Sequence, residues 1–225
     1  MKKFKEKQYS ILDETISKHG ITKLGLMVNE SYNNDPKRTL FTFARYKFTG
    51  KILENCNSVI EIGCGDAFAT RIVRQFVKNV TVLDFDQRFI DDIQNRKNKY
   101  WKIKILKHDI IKKKIQGMKF DGAFCLDVLE HIPKKLENKF VNNIKHSIKK
   151  DGVFIAGMPS LEFQKYASPQ SKEGHVNCKS GDDFNKFMKK HFKNVINFSM
   201  SDEIIHTGFN KMASYLFSIG FGVKK

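Results

Sequence analysis

The residues with the clearest chemical capacity fall in four stretches. The first, Val59-Ile60-Glu61-Ile62-Gly63-Cys64-Gly65-Asp66, runs from apolar residues into a Gly-x-Gly turn. Glycine there lets a ligand lie against main-chain N–H groups, because no Cβ stands in the way. The second is Val80-Thr81-Val82-Leu83-Asp84, whose acid lies 21 residues after Gly63. A carboxylate at a strand tip can accept both hydroxyls of a ribose. The third, Ile103-Lys104-Ile105-Leu106-Lys107-His108-Asp109, ends in an acid able to accept from an exocyclic amine such as that of adenine. The fourth, Phe120 to Pro133, is an apolar run that leaves into Asp127, Glu130 and His131.

Positioning these groups requires strands that end at one edge. From residue 58 the sequence alternates strand and helix patterns, with strands predicted at 58–62, 80–84, 103–107, 121–126 and 152–157. Helices are predicted at 66–77, 87–95 and 134–148. Such alternation predicts an α/β fold, a Rossmann-like doubly wound and mostly parallel sheet. Phe68, Ile72, Val73, Phe76 and Val77 share one face of the helix at 66–77, which would begin beside the glycine turn. That places N–H groups at a helix N-terminus, where nucleotide-like ligands bind.

Before this core, an amphipathic helix carrying Tyr9, Leu12 and Ile16 leads into a mixed segment up to residue 34. Asp35-Pro36 reads as a helix start, an N-cap acid with proline at the first position. The helix that follows carries Leu40, Phe41, Phe43, Ala44, Phe48, Ile52 and Leu53, with Arg45 and Tyr46 among them. An N-terminal helical cap over the ligand end of the sheet is the expectation. Residues 160–178 read as a long polar loop, 180–191 as a helix, and 193–200 and 211–222 as an antiparallel strand pair at the sheet edge. Seven strands result. No repeat or low-complexity linker divides the chain, so a single domain is expected: cap over 1–55, core over 56–160, acceptor side over 161–225.

Composition bounds the reading. With 40% hydrophobic residues, 20 of the 225 residues being Phe, the chain has material for a folded core. No run of 18 apolar residues offers a membrane span, and the charged start has no apolar segment of a secretory signal. Cys56, Cys64, Cys125 and Cys178 form no Cys-x-x-Cys pair, which fits reduced thiols and a cytoplasmic location. A net charge of +17 raises the question of an anionic partner. The lysines are dispersed, with only Lys112-Lys113-Lys114 and a few pairs as local runs. Solvated lysines, some forming a basic mouth, are favoured over a nucleic-acid face.

A Gly-x-Gly turn alone is weak evidence for any one ligand. Dinucleotide binding needs a small residue three positions after the second glycine, and Phe68 stands there. The four stretches together, in order and spacing, resemble the class I S-adenosylmethionine-dependent methyltransferases over roughly residues 58–160. Leu126-Asp127-Val128-Leu129-Glu130-His131 is similar to the motif after the fourth strand in the small-molecule branch, which includes the ubiquinone-pathway O-methyltransferases. The resemblance implies S-adenosylmethionine as cofactor. Glu61, Gly63 and Gly65 would belong to the cofactor-binding first motif, the Gly63–Gly65 backbone lining the methionine end, and Asp84 would hold the ribose, with Phe85 against adenine. Asp109 and Ile110 would lie on the adenine side, Leu126 and Asp127 near the sulfonium, and Arg45 at the carboxylate.

Methyl transfer is an in-line displacement that depends mainly on positioning, with a base for an alcohol or acidic acceptor. His131 and His175 are the candidate bases, with His206 a third; Tyr166 and Ser168 are candidates to line the acceptor. Magnesium held by Asp127, Glu130 and His131 is a minor alternative, and no metal is expected. The acceptor is expected to be a small molecule methylated on oxygen, with a basic mouth suited to a phosphate- or nucleotide-bearing intermediate of surface polysaccharide synthesis. RNA methylation and a non-catalytic nucleotide-binding module are the alternatives.

Overall fold

The computed structural model describes residues 4–224; the first three residues of the charged start, and residue 225, lie outside the described residues. The N-terminal section forms α1 (Ser10–His19), α2 (Leu26–Asn34) and α3 (Lys37–Ile52). The side chain of Asp35 makes no capping bond, so α3 starts without the cap its sequence suggests. The core then runs β1 (Ser58–Ile62), α4 (Thr70–Val73), β2 (Asn79–Asp84), α5 (Gln87–Arg96), β3 (Lys104–Lys107) and β4 (Phe120–Leu126). It continues through α6 (Glu137–Ser147), β5 (Ile148–Pro159), α7 (Pro169–Gly174), α8 (Gly181–His191), β6 (Phe192–Ser201), β7 (Ile204–Thr207) and β8 (Tyr215–Val223).

The strands make one sheet in the order β3-β2-β1-β4-β5-β8-β6-β7. The first five are parallel, β8 runs antiparallel to both β5 and β6, and β7 pairs antiparallel with β6. The sheet has eight strands where the sequence pattern predicts seven. The addition, β7, is four residues long at the outer edge, too short to show a period.

Strand periodicity sorts side chains to two faces. Ile60 and Ile62, Ala123 and Cys125, and Phe154, Ala156 and Met158 face α6 and α8, which contribute Phe140, Ile144, Phe184 and Phe187. Val59, Phe124 and Ile155 face the other way, against Tyr46 of α3, Val73 of α4 and Ile93 of α5. Each fully buried Val, Ile, Phe or Met among them stabilises by about 1.5–3 kcal/mol.

Two expectations are corrected. The helix predicted over 66–77 is a single α-turn, with Gly65–Ala69 in irregular turns before it. Phe68, expected on the apolar face of that helix, stacks on Phe43 of α3 with ring centroids 6.2 Å apart. The glycine loop is therefore not a helix N-terminus. Residues 160–178 are not an open loop either. They hold a 3-10 turn at Gln164–Tyr166 and α7, and Ser160 bridges to Lys179.

A buried ion pair pins that segment. Glu137 at the start of α6 accepts from Lys179 Nζ at 2.6 Å and from Asn177 Nδ2 at 2.9 Å. Both charged side chains are more than nine-tenths buried. Removing one partner strands the other charge, so Lys179→Met is expected to cost about 3–5 kcal/mol. The Glu137→Gln/Lys179→Met double variant should recover a large part of that loss, read from urea midpoints at constant slope.

Candidate active site

The strand order reverses between β1 and β4, since the chain goes outward through β2 and β3 before returning. In open α/β sheets ligands bind at that crevice, beyond the carboxyl ends of the strands. The backbone is most contorted there. Gly63 and Gly65 have φ of +69° and +51°, where glycine has no steric penalty. Ala67 and Asp127, in the loops after β1 and β4, hold φ of +49° and +57°, which costs a non-glycine residue about 1–3 kcal/mol. The two loops touch: a Cβ on Gly63 would collide with Val128.

Three buried carboxylates hold the glycine loop. Glu61 on β1 accepts from Tyr46 Oη at 2.6 Å and from Thr70 Oγ1 at 2.5 Å. Its oxygens are turned to α3 and α4, so Glu61 places the loop from beneath. Asp84 accepts from the Gly65 N–H through one oxygen and from the Asp86 N–H through the other, each at 2.9 Å. A carboxylate has about four acceptor positions, so capacity remains for a ligand hydroxyl. Asp66 accepts from Phe68 N–H at 3.0 Å and from Val28 N–H of α2 at 2.9 Å. Met27 of α2 lies over Gly65, where a Cβ would strike its sulfur. The N-terminal section thus covers this loop, and Asp66, which no motif signal marks, is the residue that docks it.

The crevice is less enclosed at the ends of β2 and β3. Phe85 is 70% exposed at the tip of β2, a free aromatic face. Asp109 spends one oxygen on the N–H groups of Ile111 and Lys112, and its other oxygen lies 3.4 Å from Lys112 Nζ. Partial burial works against its charge, but those amides and Lys112 prevail and hold the carboxyl below its ordinary range. Ile110 is buried in the sheet-face core.

On the β4 side, Leu126 is buried and the Asp127 N–H donates to Gly157 O at 3.0 Å. Arg45 Nη1 donates to Asp127 Oδ2 at 2.6 Å, and its guanidinium lies 4.1 Å from the ring centroid of Tyr215. Arg45 Nε and Tyr215 Oη are buried with no hydrogen-bond partner. Tyr215 belongs to the C-terminal strand β8, and no local signal in its sequence singles it out.

The candidate bases meet. The rings of His131 and His175 are edge to face with centroids 5.1 Å apart. His131 Nδ1 lies 2.9 Å from Gly174 O and His175 Nδ1 lies 2.8 Å from Gln164 Oε1. Burial lowers the His175 pKa, and the neighbouring His131 lowers it further. His206 is on edge strand β7, with β8 and β6 between it and β5, and takes no part. Of the two candidate acceptor residues, Tyr166 is 67% exposed near the His pair's segment. Ser168 instead caps α7, its hydroxyl accepting from Ser171 N–H at 3.1 Å.

Residues 60–156 match the family model described as a methyltransferase domain. Among solved structures, the N-methyltransferase NodS from Bradyrhizobium japonicum, bound to S-adenosyl-L-homocysteine, superposes with a TM-score of 0.63 at 15% identity, covering 96% of this chain and 99% of that one. The methyltransferase domain of bacterial CtHen1 gives 0.66 at 13% identity, covering 81% and 99%. An S-adenosylmethionine-dependent methyltransferase from Clostridium acetobutylicum gives 0.62 at 13% identity, covering 96% and 98%. No curated protein matches in sequence.

Burial pushes the Glu61 carboxyl up to about 7 against the bonds from Thr70 and Tyr46, with the charges of Asp66 and Asp84 adding to the rise. The folded state thus holds this proton more tightly than the unfolded chain, whose value is near 4.5. The stability it contributes is complete below 4.5 and is lost as pH rises through 7. Glu61→Gln lacks this loss. Relative to the wild type it should gain about 3 kcal/mol in urea unfolding between pH 4 and pH 8.

Proposed function

We propose, from the methyltransferase domain over residues 60–156, that this chain transfers a methyl group from S-adenosylmethionine to an oxygen of a small anionic acceptor. The observation that carries the cofactor assignment is the Asp84–Gly65 pair at the strand-order reversal, a buried carboxylate that can accept from a diol beside a glycine loop. S-adenosylmethionine supplies a methyl group activated on a sulfonium. Asp84 holds the ribose, Phe85 offers a face to the adenine, and Asp109 with Ile110 borders that base. The Gly63–Gly65 backbone, placed by Glu61, and Arg45, oriented by Asp127, receive the methionine end. Leu126 walls the reacting centre.

The acceptor enters from the side of His131, His175 and Tyr166. The two histidines border its hydroxyl, whose proton must leave for oxygen to become a nucleophile. Lys134, Lys135, Lys165 and Lys172 are exposed around this segment and favour a phosphate-bearing acceptor, such as an activated sugar. A second basic groove, with Arg74, Lys78, Lys97, Lys102 and Lys104, lies where β2 and β3 begin, the opposite end of the sheet from the glycine loop. That separation argues against RNA laid across the cofactor.

Calorimetry with S-adenosylmethionine tests the cofactor. Binding is expected in the wild type, with a loss of about 10- to 100-fold for Asp84→Ala, which removes a charge-assisted acceptor worth about 1.5–3 kcal/mol. No binding by the wild type overturns the reading. A screen of phosphorylated sugars, nucleotides and amines for release of S-adenosylhomocysteine identifies the acceptor. His131→Ala and His175→Ala should each lower turnover with cofactor affinity kept; full turnover in both removes the histidines from the chemistry.

A further inference from the structure

The side chain of Glu130 is 0% exposed, and neither of its oxygens has a hydrogen-bond partner. An unpaired buried carboxylate is costly unless it is neutralised or holds a cation. One donor atom from each of Glu130, His131 and His175 lies within 4.8 Å of the others. These residues come from two segments, the 3-10 turn Leu129–His131 after β4 and the residue capping α7. Asn177 joins the segments by donating its N–H to Glu130 O at 2.9 Å.

The histidines carry the outer partners that cation ligands use. A ligating imidazole commonly donates its second N–H to a carbonyl, which sets its tautomer and orientation. His131 Nδ1 faces the Gly174 carbonyl and His175 Nδ1 faces Gln164 Oε1. The Gln164 amide is itself oriented, with Nε2 donating to Ser160 O at 3.3 Å. Both rings therefore carry hydrogen on Nδ1 and a lone pair on Nε2, which has no hydrogen bond among the described residues.

We propose that Glu130, His131 and His175 form a divalent-cation site beside the acceptor. This departs from the sequence-based expectation of no metal. Two imidazole nitrogens and one carboxylate suit Mn²⁺, Fe²⁺, Co²⁺ or Zn²⁺ over Mg²⁺ or Ca²⁺, which prefer oxygen donors. Three protein ligands leave positions for water and for an acceptor oxygen. The cation withdraws charge from the acceptor hydroxyl, whose proton passes to water. The oxygen then takes the methyl carbon, and the carbon–sulfur bond breaks with its electron pair left on sulfur. The catalytic part of this proposal rests on the methyl-transfer reading; the site itself does not.

The test is direct cation binding. Chelator-treated protein is titrated with Co²⁺, followed by d–d absorption, and with Mn²⁺ and Mg²⁺ by calorimetry. One Co²⁺ per chain is expected, with Mg²⁺ binding more weakly. Glu130→Gln keeps the buried shape and His131→Ala changes an exposed ring, so both should fold, as circular dichroism will check. Each is expected to weaken Co²⁺ binding by about 100-fold or more. No saturable Co²⁺ binding by the wild type, or wild-type affinity in the folded Glu130→Gln variant, overturns the proposal. S-adenosylmethionine affinity, measured on the same samples, separates the two readings. Cation binding without cofactor binding sinks only the methyl-transfer reading, and the converse sinks only the cation site.

Discussion

The glycine loop depends on carboxylates placed under it, where water cannot compete. Glu61 is the deepest of these, tying Tyr46 of α3 and Thr70 of α4 to β1. Asp84 extends the same device to the neighbouring strand by taking the Gly65 N–H. Asp66 carries it outward to α2. Each bond is worth only about 1–3 kcal/mol. Together they decide the path of a loop that has no long helix behind it to fix its direction. The arrangement has a cost, visible in the raised carboxyls of Glu61 and Asp84, both driven first by burial.

What could be read from the sequence was what short-range pattern encodes. The five parallel strands, the antiparallel pair after them, and the acid at the end of β2 all follow from local alternation and spacing. The helix after the glycine turn is not legible, because an i, i+4 pattern cannot tell a helix from a tight turn whose aromatic has a distant partner. Phe68 found Phe43, 25 positions earlier in the chain. The segment 160–178 reads as loop because its composition is polar, while its order comes from Glu137 and Lys179, 42 residues apart. Glu130 was visible as an acid in a motif. Its burial and lack of partners are properties of packing, and no spacing rule reports them.

The two sides of the crevice are built differently. On the β1 and β2 side, polar groups are satisfied and leave defined vacancies for hydrogen bonds. On the β4 side, Arg45 Nε, Tyr215 Oη and both Glu130 oxygens are buried without partners, four of the seven such atoms among the described residues. Native structures keep few such groups, and those they keep tend to mark function. A completed hydrogen-bond set suits recognition of one invariant ligand. A set of unmet demands suits chemistry that changes charge as it proceeds.

The strand order carries a consequence for how this chain is made. β8 follows β6 and β7 in the chain, yet lies between β5 and β6 in the sheet. Until β8 emerges from the ribosome, β5 has an open edge over Val153–Pro159, seven residues that include Val153, Phe154 and Ile155. Such an edge is a template for mispairing. β6 cannot dock on the sheet without β8, so the emerging chain must hold its β5 edge unsatisfied through the synthesis of α7, α8, β6 and β7. Tyr215, at the start of β8, brings its ring under Arg45 only when that closure happens. The Arg45–Tyr215 side of the crevice is therefore closed last, and its assembly reports that the whole sheet has been completed.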